Sequence, residues 1–116
     1  MPHTKSPITS HVLDTSRGCP AAGVPVTIEV ESAGNWEKLG TSVTNDDGRV
    51  PTLLAGRELE VARYRVTFNT AVYFAELGTP AFYPYVQVVF DIRAPDQHYH
   101  IPLLLSAYGY STYRGS

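Results

Sequence analysis

Three side chains suited to proton transfer or anion binding stand out by type and by place: His11, Arg49 and His100. His11 lies in an alternating segment and shares a strand face with Thr9 and Leu13. His98 and His100 share a face with Pro102 and Leu104, while Tyr99, Ile101, Leu103 and Leu105 form an opposite face apolar enough for a core. Two histidines on one face can begin a metal site, but no matched third ligand accompanies them, so no metal is expected. A lone strand histidine is more often structural or exposed than catalytic. Arg49 follows Asp47-Gly48 and so leaves a tight turn. Such arginines are usually solvated; the chemical reading is that the turn aims a rigid guanidinium fork at a planar, oxygen-rich ligand. The closing segment Tyr110-Ser111-Thr112-Tyr113-Arg114-Gly115-Ser116 follows the apolar run Ile101-Pro102-Leu103-Leu104-Leu105. Chain ends are commonly frayed, but this one is expected to be held in place as the wall of a binding site. Its parity puts Ser111 and Tyr113 on one face, and Tyr110, Thr112 and Arg114 on the other. Cys19, between Gly18 and Pro20, is read as incidental.

These residues need strands to position them, and the chain has a period of 2 almost throughout. Val24, Val26, Ile28 and Val30 alternate with polar residues, as do Tyr64, Val66 and Phe68. Val86, Val88, Phe90 and Ile92 repeat the pattern. Further strands are expected over residues 8–14, 36–44, 50–54, 99–105 and 110–114. Turn signals separate them at Arg17-Gly18, Ala33-Gly34-Asn35, Asn45-Asp46-Asp47-Gly48 and Ala94-Pro95-Asp96. One short helix is expected over residues 70–77, stopped by Gly78. About eight short strands with frequent turns make an all-β, two-sheet sandwich. At 116 residues the chain is expected to be a single domain, with residues 1–7 flexible.

A formal charge of −2 and a pI near 6.0 argue against nucleic-acid or anionic-membrane partners. No apolar stretch approaches a membrane helix. The start of the sequence has no apolar h-region and its last three residues are not Ser-Lys-Leu, so a cytoplasmic location is expected. The single cysteine rules out an intrachain disulfide. The outer face bearing Leu104, Pro102 and histidine is too apolar for solvent, which points to a covering subunit.

Three segments together resemble the 5-hydroxyisourate hydrolase family, the transthyretin-related enzymes of urate breakdown. The first is Thr9-Ser10-His11-Val12-Leu13-Asp14-Thr15 with Gly18 and Pro20-Ala21; the second is Thr44-Asn45-Asp46-Asp47-Gly48-Arg49. The third runs from Tyr99 to Ser106 and on through Tyr110 to Ser116; Tyr73-Phe74 and Phe82-Tyr83-Pro84 also fit. The resemblance covers nearly the whole chain. The closing Tyr113-Arg114-Gly115-Ser116 is its most specific part, because it separates the enzymes from the hormone carrier of the same fold. Ala107, where proline is common, and Tyr85, where an acid is common, depart from the pattern.

The resemblance implies a transthyretin-like sandwich assembled as a homotetramer, a dimer of dimers with active sites in the channel between them. It implies a catalytic set of His11, Arg49 and His100, with His11, Arg49, Ser111 and Tyr113 contacting substrate and no cofactor. In the carrier, the positions matching His11, Arg49 and His100 look like lysine, glutamate and threonine. The implied reaction opens the six-membered ring of 5-hydroxyisourate by water attack on a carbonyl. A neutral histidine suits the base, and Arg49 would both disfavour imidazolium and stabilise the oxyanion. Within the terminal motif, parity places Ser111 and Tyr113 with His100, so Tyr113 is expected to touch substrate and Arg114 to anchor the strand. Removing the last four residues is then expected to damage catalysis more than folding. His98 does not match the catalytic position and is expected behind it. The rival readings are a small-molecule carrier using the same inter-dimer channel, and a plain structural or adhesion sandwich.

Overall fold

The computed structural model describes residues 6–51, 53–54 and 56–115. Among the described residues, eight strands and one helix follow in chain order: β1 Ile8–Asp14, β2 Cys19–Pro20, β3 Pro25–Ser32, β4 Asn35–Val43, β5 Ala62–Phe68, α1 Thr70–Glu76, β6 Val86–Ile92, β7 Tyr99–Leu105 and β8 Tyr110–Thr112. They form two four-stranded sheets, ordered β2-β1-β7-β8 and β4-β3-β5-β6. Val12, Leu103 and Leu105 from the first sheet meet Val26, Ile28, Val66 and Phe68 from the second in one buried core. This is the expected all-β sandwich. Among the described residues, no helix is long and apolar enough to cross a membrane.

Alternation sets the faces. Along β1, Ile8, Ser10, Val12 and Asp14 are buried, while Thr9, His11 and Leu13 are half-buried on the outer side. The turn between β3 and β4 has two residues, since Ser32 pairs with Asn35. Ala33 and Gly34 both take positive φ, 51° and 80°, as a type I′ hairpin turn requires.

One expected strand is absent and one unexpected strand is present. Val50, Pro51, Leu53 and Leu54 are not in a strand, and Thr52 lies outside the described residues. Arg49 makes only an isolated bridge to His11, and Pro51 has no N–H with which to continue a ladder. Leu53 and Leu54 are buried instead as plugs at the sandwich edge, where the Leu54 N–H donates to the Ser6 hydroxyl at 2.8 Å. The extra strand, β2, is two residues long and too short to show a period. Residues 1–5 of the expected flexible start lie outside the described residues. Ser6 is buried and the Pro7 carbonyl accepts the Tyr99 N–H at 2.9 Å, so the chain is already fixed there.

The helix buries Thr70, Tyr73 and Phe74, an i, i+3, i+4 stripe. Gly78, at φ 65°, follows the Leu77 cap as expected. Tyr73 ties the helix to the end of β1 by donating its hydroxyl to Asp14 Oδ2 at 2.6 Å.

Candidate active site

β1 and β7 lie side by side and parallel, with Thr9 opposite His100, His11 opposite Pro102 and Leu13 opposite Leu104. Partners in register share a face. Thr9, His11 and Leu13 therefore stand on the same outer surface as His100 and Leu104, one step apart on neighbouring strands. Ser111 joins them from β8, opposite Leu104.

Arg49 reaches this surface through a loop built around Asn45. The Asn45 side-chain oxygen accepts the N–H groups of Asp47 at 2.9 Å and Arg49 at 3.0 Å. Its carbonyl accepts the Gly48 N–H at 2.8 Å, and its own N–H donates to the Arg49 carbonyl at 3.0 Å. The loop is pressed onto β1, where Val12 N–H donates to the Gly48 carbonyl at 2.8 Å. Gly48 sits at φ 75°, and a Cβ there would lie 2.4 Å from the Val12 carbonyl oxygen. Only glycine fits both constraints. The result is an antiparallel bridge that lays Arg49 against His11.

His100 is held on two sides. Its Nδ1 lies 2.8 Å from the Thr9 hydroxyl. Gly115 packs against the ring, so closely that a Cβ would come 2.5 Å from His100 Cδ2. The Gly115 N–H also donates to the His100 carbonyl at 2.8 Å. Burial, then the charge of Arg49, then His98 and His11, hold the His100 imidazole below the ordinary histidine range. Arg49 acts in the expected direction, with burial the larger cause. The same Thr9 hydroxyl lies 2.9 Å from His98 Nε2. Among the described residues, no three His, Cys, Asp or Glu side chains gather as a metal cluster.

The terminal segment is fixed, and its register follows parity. β8 ends at Thr112, and its hydroxyl donates to the Pro102 carbonyl at 2.6 Å. Pro102, next in register opposite Tyr113, has no N–H to give, and pairing resumes in the same register where Gly115 bridges His100. Tyr113 also borders a cleft of about 460 Å³ at the open edge of the sandwich, with Val88, Phe90, Tyr99 and Arg114 among its neighbours. His11, Arg49 and His100 do not line that cleft. Arg114 anchors the segment: its guanidinium stacks 4.4 Å over Tyr99 and donates to Gln97 Oε1 at 3.0 Å. Ser116 lies outside the described residues. The structure thus brings His11, Arg49, His100 and Ser111 onto one surface, and the register that runs on to Gly115 sets Tyr113 opposite Pro102. Sequence reasoning passed over Thr9, Asn45 and Gly115 as site builders. Strand parity already put Thr9 on the His11 face, which was the available signal for it.

Comparison with known proteins sharpens the picture. The chain is 47% identical over 113 residues to a mouse 5-hydroxyisourate hydrolase, covering 96% of each. It superposes on a Klebsiella pneumoniae 5-hydroxyisourate hydrolase with a TM-score of 0.84 at 37% identity, covering 94% of this chain and 97% of that one. It also superposes on sea bream transthyretin in complex with thyroxine, with a TM-score of 0.88 at 32% identity and 94% coverage of each. Backbone shape alone does not separate the two activities, as expected when one fold hosts several functions. The family model described as HIUase/Transthyretin matches residues 8–115, and the chain belongs to that family.

Proposed function

We propose that the chain hydrolyses 5-hydroxyisourate to 2-oxo-4-hydroxy-4-carboxy-5-ureidoimidazoline in urate degradation, using His11, Arg49 and His100. The carrying observation is the placement of Arg49 against His11, with His100 on the adjoining strand and its imidazole biased to the neutral form. A neutral imidazole takes a proton from water as it attacks the ring carbonyl. The Arg49 guanidinium stabilises the negative charge that develops on the carbonyl oxygen. His11 and His100 hold the water between them, and one returns a proton to the leaving ring nitrogen. Ser111 and Tyr113 orient the substrate rings by hydrogen bonds. The assembly is a homotetramer, supported by the half-buried Leu13 and Leu104 on the outer face and by the unpaired strand edges of β6 and β8.

The test is the ultraviolet decay of freshly generated 5-hydroxyisourate with and without protein. Acceleration is expected, with His11→Ala and His100→Ala each losing about 10²-fold or more. Decay at the spontaneous rate refutes the reading, and full activity in both variants refutes the mechanism. The likeness to thyroxine-bound transthyretin supports a second reading, a small-molecule carrier. Tight thyroxine binding without hydrolysis would favour it.

A further inference from the structure

The two exposed-to-buried steps around Thr9 have a chemical meaning that the catalytic set leaves unused. Thr9 Oγ1 lies 2.9 Å from His98 Nε2 and 2.8 Å from His100 Nδ1. His98 is exposed, whereas Thr9 and His100 are half-buried. A hydroxyl carries one proton, so it donates to at most one of the two imidazoles and accepts from the other. When it does donate to one, the three groups form a directed chain from the site to solvent.

We propose that Thr9 is a positioning residue that fixes the tautomer of His100 and, with His98, relays a proton from His100 to solvent. This rests on the hydrolase reading above. In the resting state His100 carries its proton on Nδ1 and donates it to Thr9 Oγ1, while the Thr9 hydroxyl donates to His98 Nε2. That arrangement leaves the lone pair of His100 Nε2 free to act as the base. When attacking water gives a proton to Nε2, the Nδ1 proton passes to Thr9 Oγ1 and the Thr9 hydroxyl proton passes to His98 Nε2. His98 becomes an imidazolium and releases its Nδ1 proton to bulk water. The chain resets as His100 Nε2 hands the water proton to the leaving ring nitrogen and a solvent proton returns through His98 and Thr9 to His100 Nδ1. The balance closes because the second water proton leaves when the product carboxylic acid, which ionises below neutrality, dissociates. The charged groups around His100 favour this direction: Arg49 and His11 on the site side, and His98 on the solvent side, all disfavour a lasting cation there.

Steady-state kinetics and nitrogen NMR test this together. Thr9→Val keeps the side-chain shape and removes the hydroxyl; it is expected to lower kcat at least about tenfold with KM within about twofold. Thr9→Ser is expected to restore kcat to within about threefold of the parent, since it returns the hydroxyl. His98→Gln keeps a hydrogen-bonding group that cannot carry the proton; its kcat is expected to fall in weakly buffered solution and to recover with added imidazole. In the ¹⁵N spectrum above the His100 titration, the parent is expected to show the Nδ1–H tautomer, and Thr9→Val a mixture. Unchanged kcat in Thr9→Val, or a His98→Gln rate unaffected by buffer, overturns the relay. An unchanged His100 tautomer in Thr9→Val overturns the positioning role. A parent protein that fails to accelerate 5-hydroxyisourate decay refutes the hydrolase reading instead, and the NMR comparison still decides the role of Thr9.

Discussion

His100 illustrates how a single residue is set to work by its surroundings. Burial and the Arg49 charge both penalise the imidazolium, so a base is available under conditions where a free histidine would already be protonated. The acid limb of kcat/KM is accordingly expected below about 6.5, the ordinary histidine value. Arg49→Met removes one of the two larger causes. Its residual activity should show that limb moved upward towards the ordinary value, with burial keeping it from reaching it. The sign for stability is the same. A folded pKa below the unfolded one gives a contribution complete above about 6.5 and lost as pH falls through the folded value. A limb at or above the ordinary value in the parent would mean that another group governs the rate. Of the residues that matter here, His11, Arg49 and His100 are visible in sequence because imidazole and guanidinium advertise their chemistry. Gly115 is not, because its contribution is the absence of a Cβ beside His100 Cδ2.

At the scale of elements, the loop carrying Arg49 and the helix docked on β1 are the pieces that hold the site in place. Gly48→Ala would combine a left-handed backbone with a Cβ 2.4 Å from the Val12 carbonyl. It is expected to cost about 2 kcal/mol or more in denaturant unfolding, with hydrolysis falling further than stability as Arg49 loses its alignment. A variant with parental stability and rate would show that the loop tolerates another path. The helix depends on Tyr73, whose phenol is pushed up to about 12 by burial and by its hydrogen bond to Asp14. Tyr73→Phe leaves Asp14 Oδ2 without that donor and is expected to cost about 1–3 kcal/mol. Because the folded phenol is raised, its contribution is complete below about 10 and fades as pH rises from there towards the folded value. Unfolding followed over that range should show the loss in the parent and not in Tyr73→Phe; parallel curves would exclude this link. The alternation of β1, β3, β5 and β7 was legible in sequence because one face of each strand is buried. The failure over residues 50–54 has a local cause in Pro51, and the end of β8 reflects Pro102 on the neighbouring strand.

For the whole molecule, the decisive feature is a sandwich whose outer surface carries apolar side chains beside the histidines. Leu13 and Leu104 flank the histidines there, and exposed Val89 and Tyr110 belong to the edge strands β6 and β8. Unpaired edges and apolar faces invite further copies. Light scattering at micromolar concentration is expected to give the mass of a tetramer. A monomer at that concentration would remove the second wall of the proposed site. The fold by itself is neutral between activities, since a thyroxine-bound transthyretin superposes at least as well as a hydrolase does. The difference lies in which side chains the shared sheet presents.

The sequence by itself determined the sandwich class, the inward and outward faces of the longer strands, and the chemistry on offer. Those follow from near-neighbour sterics and a two-residue period, which a chain carries locally. The tertiary structure alone decided that β1 runs parallel to β7 with Thr9 opposite His100, that Gly48 is pinned to Val12, and that Gly115 closes over the His100 ring. These are contacts between segments up to about ninety residues apart, as in the Thr9–His100 bond. Register across such a distance is fixed by how the whole core packs, and no local pattern encodes it.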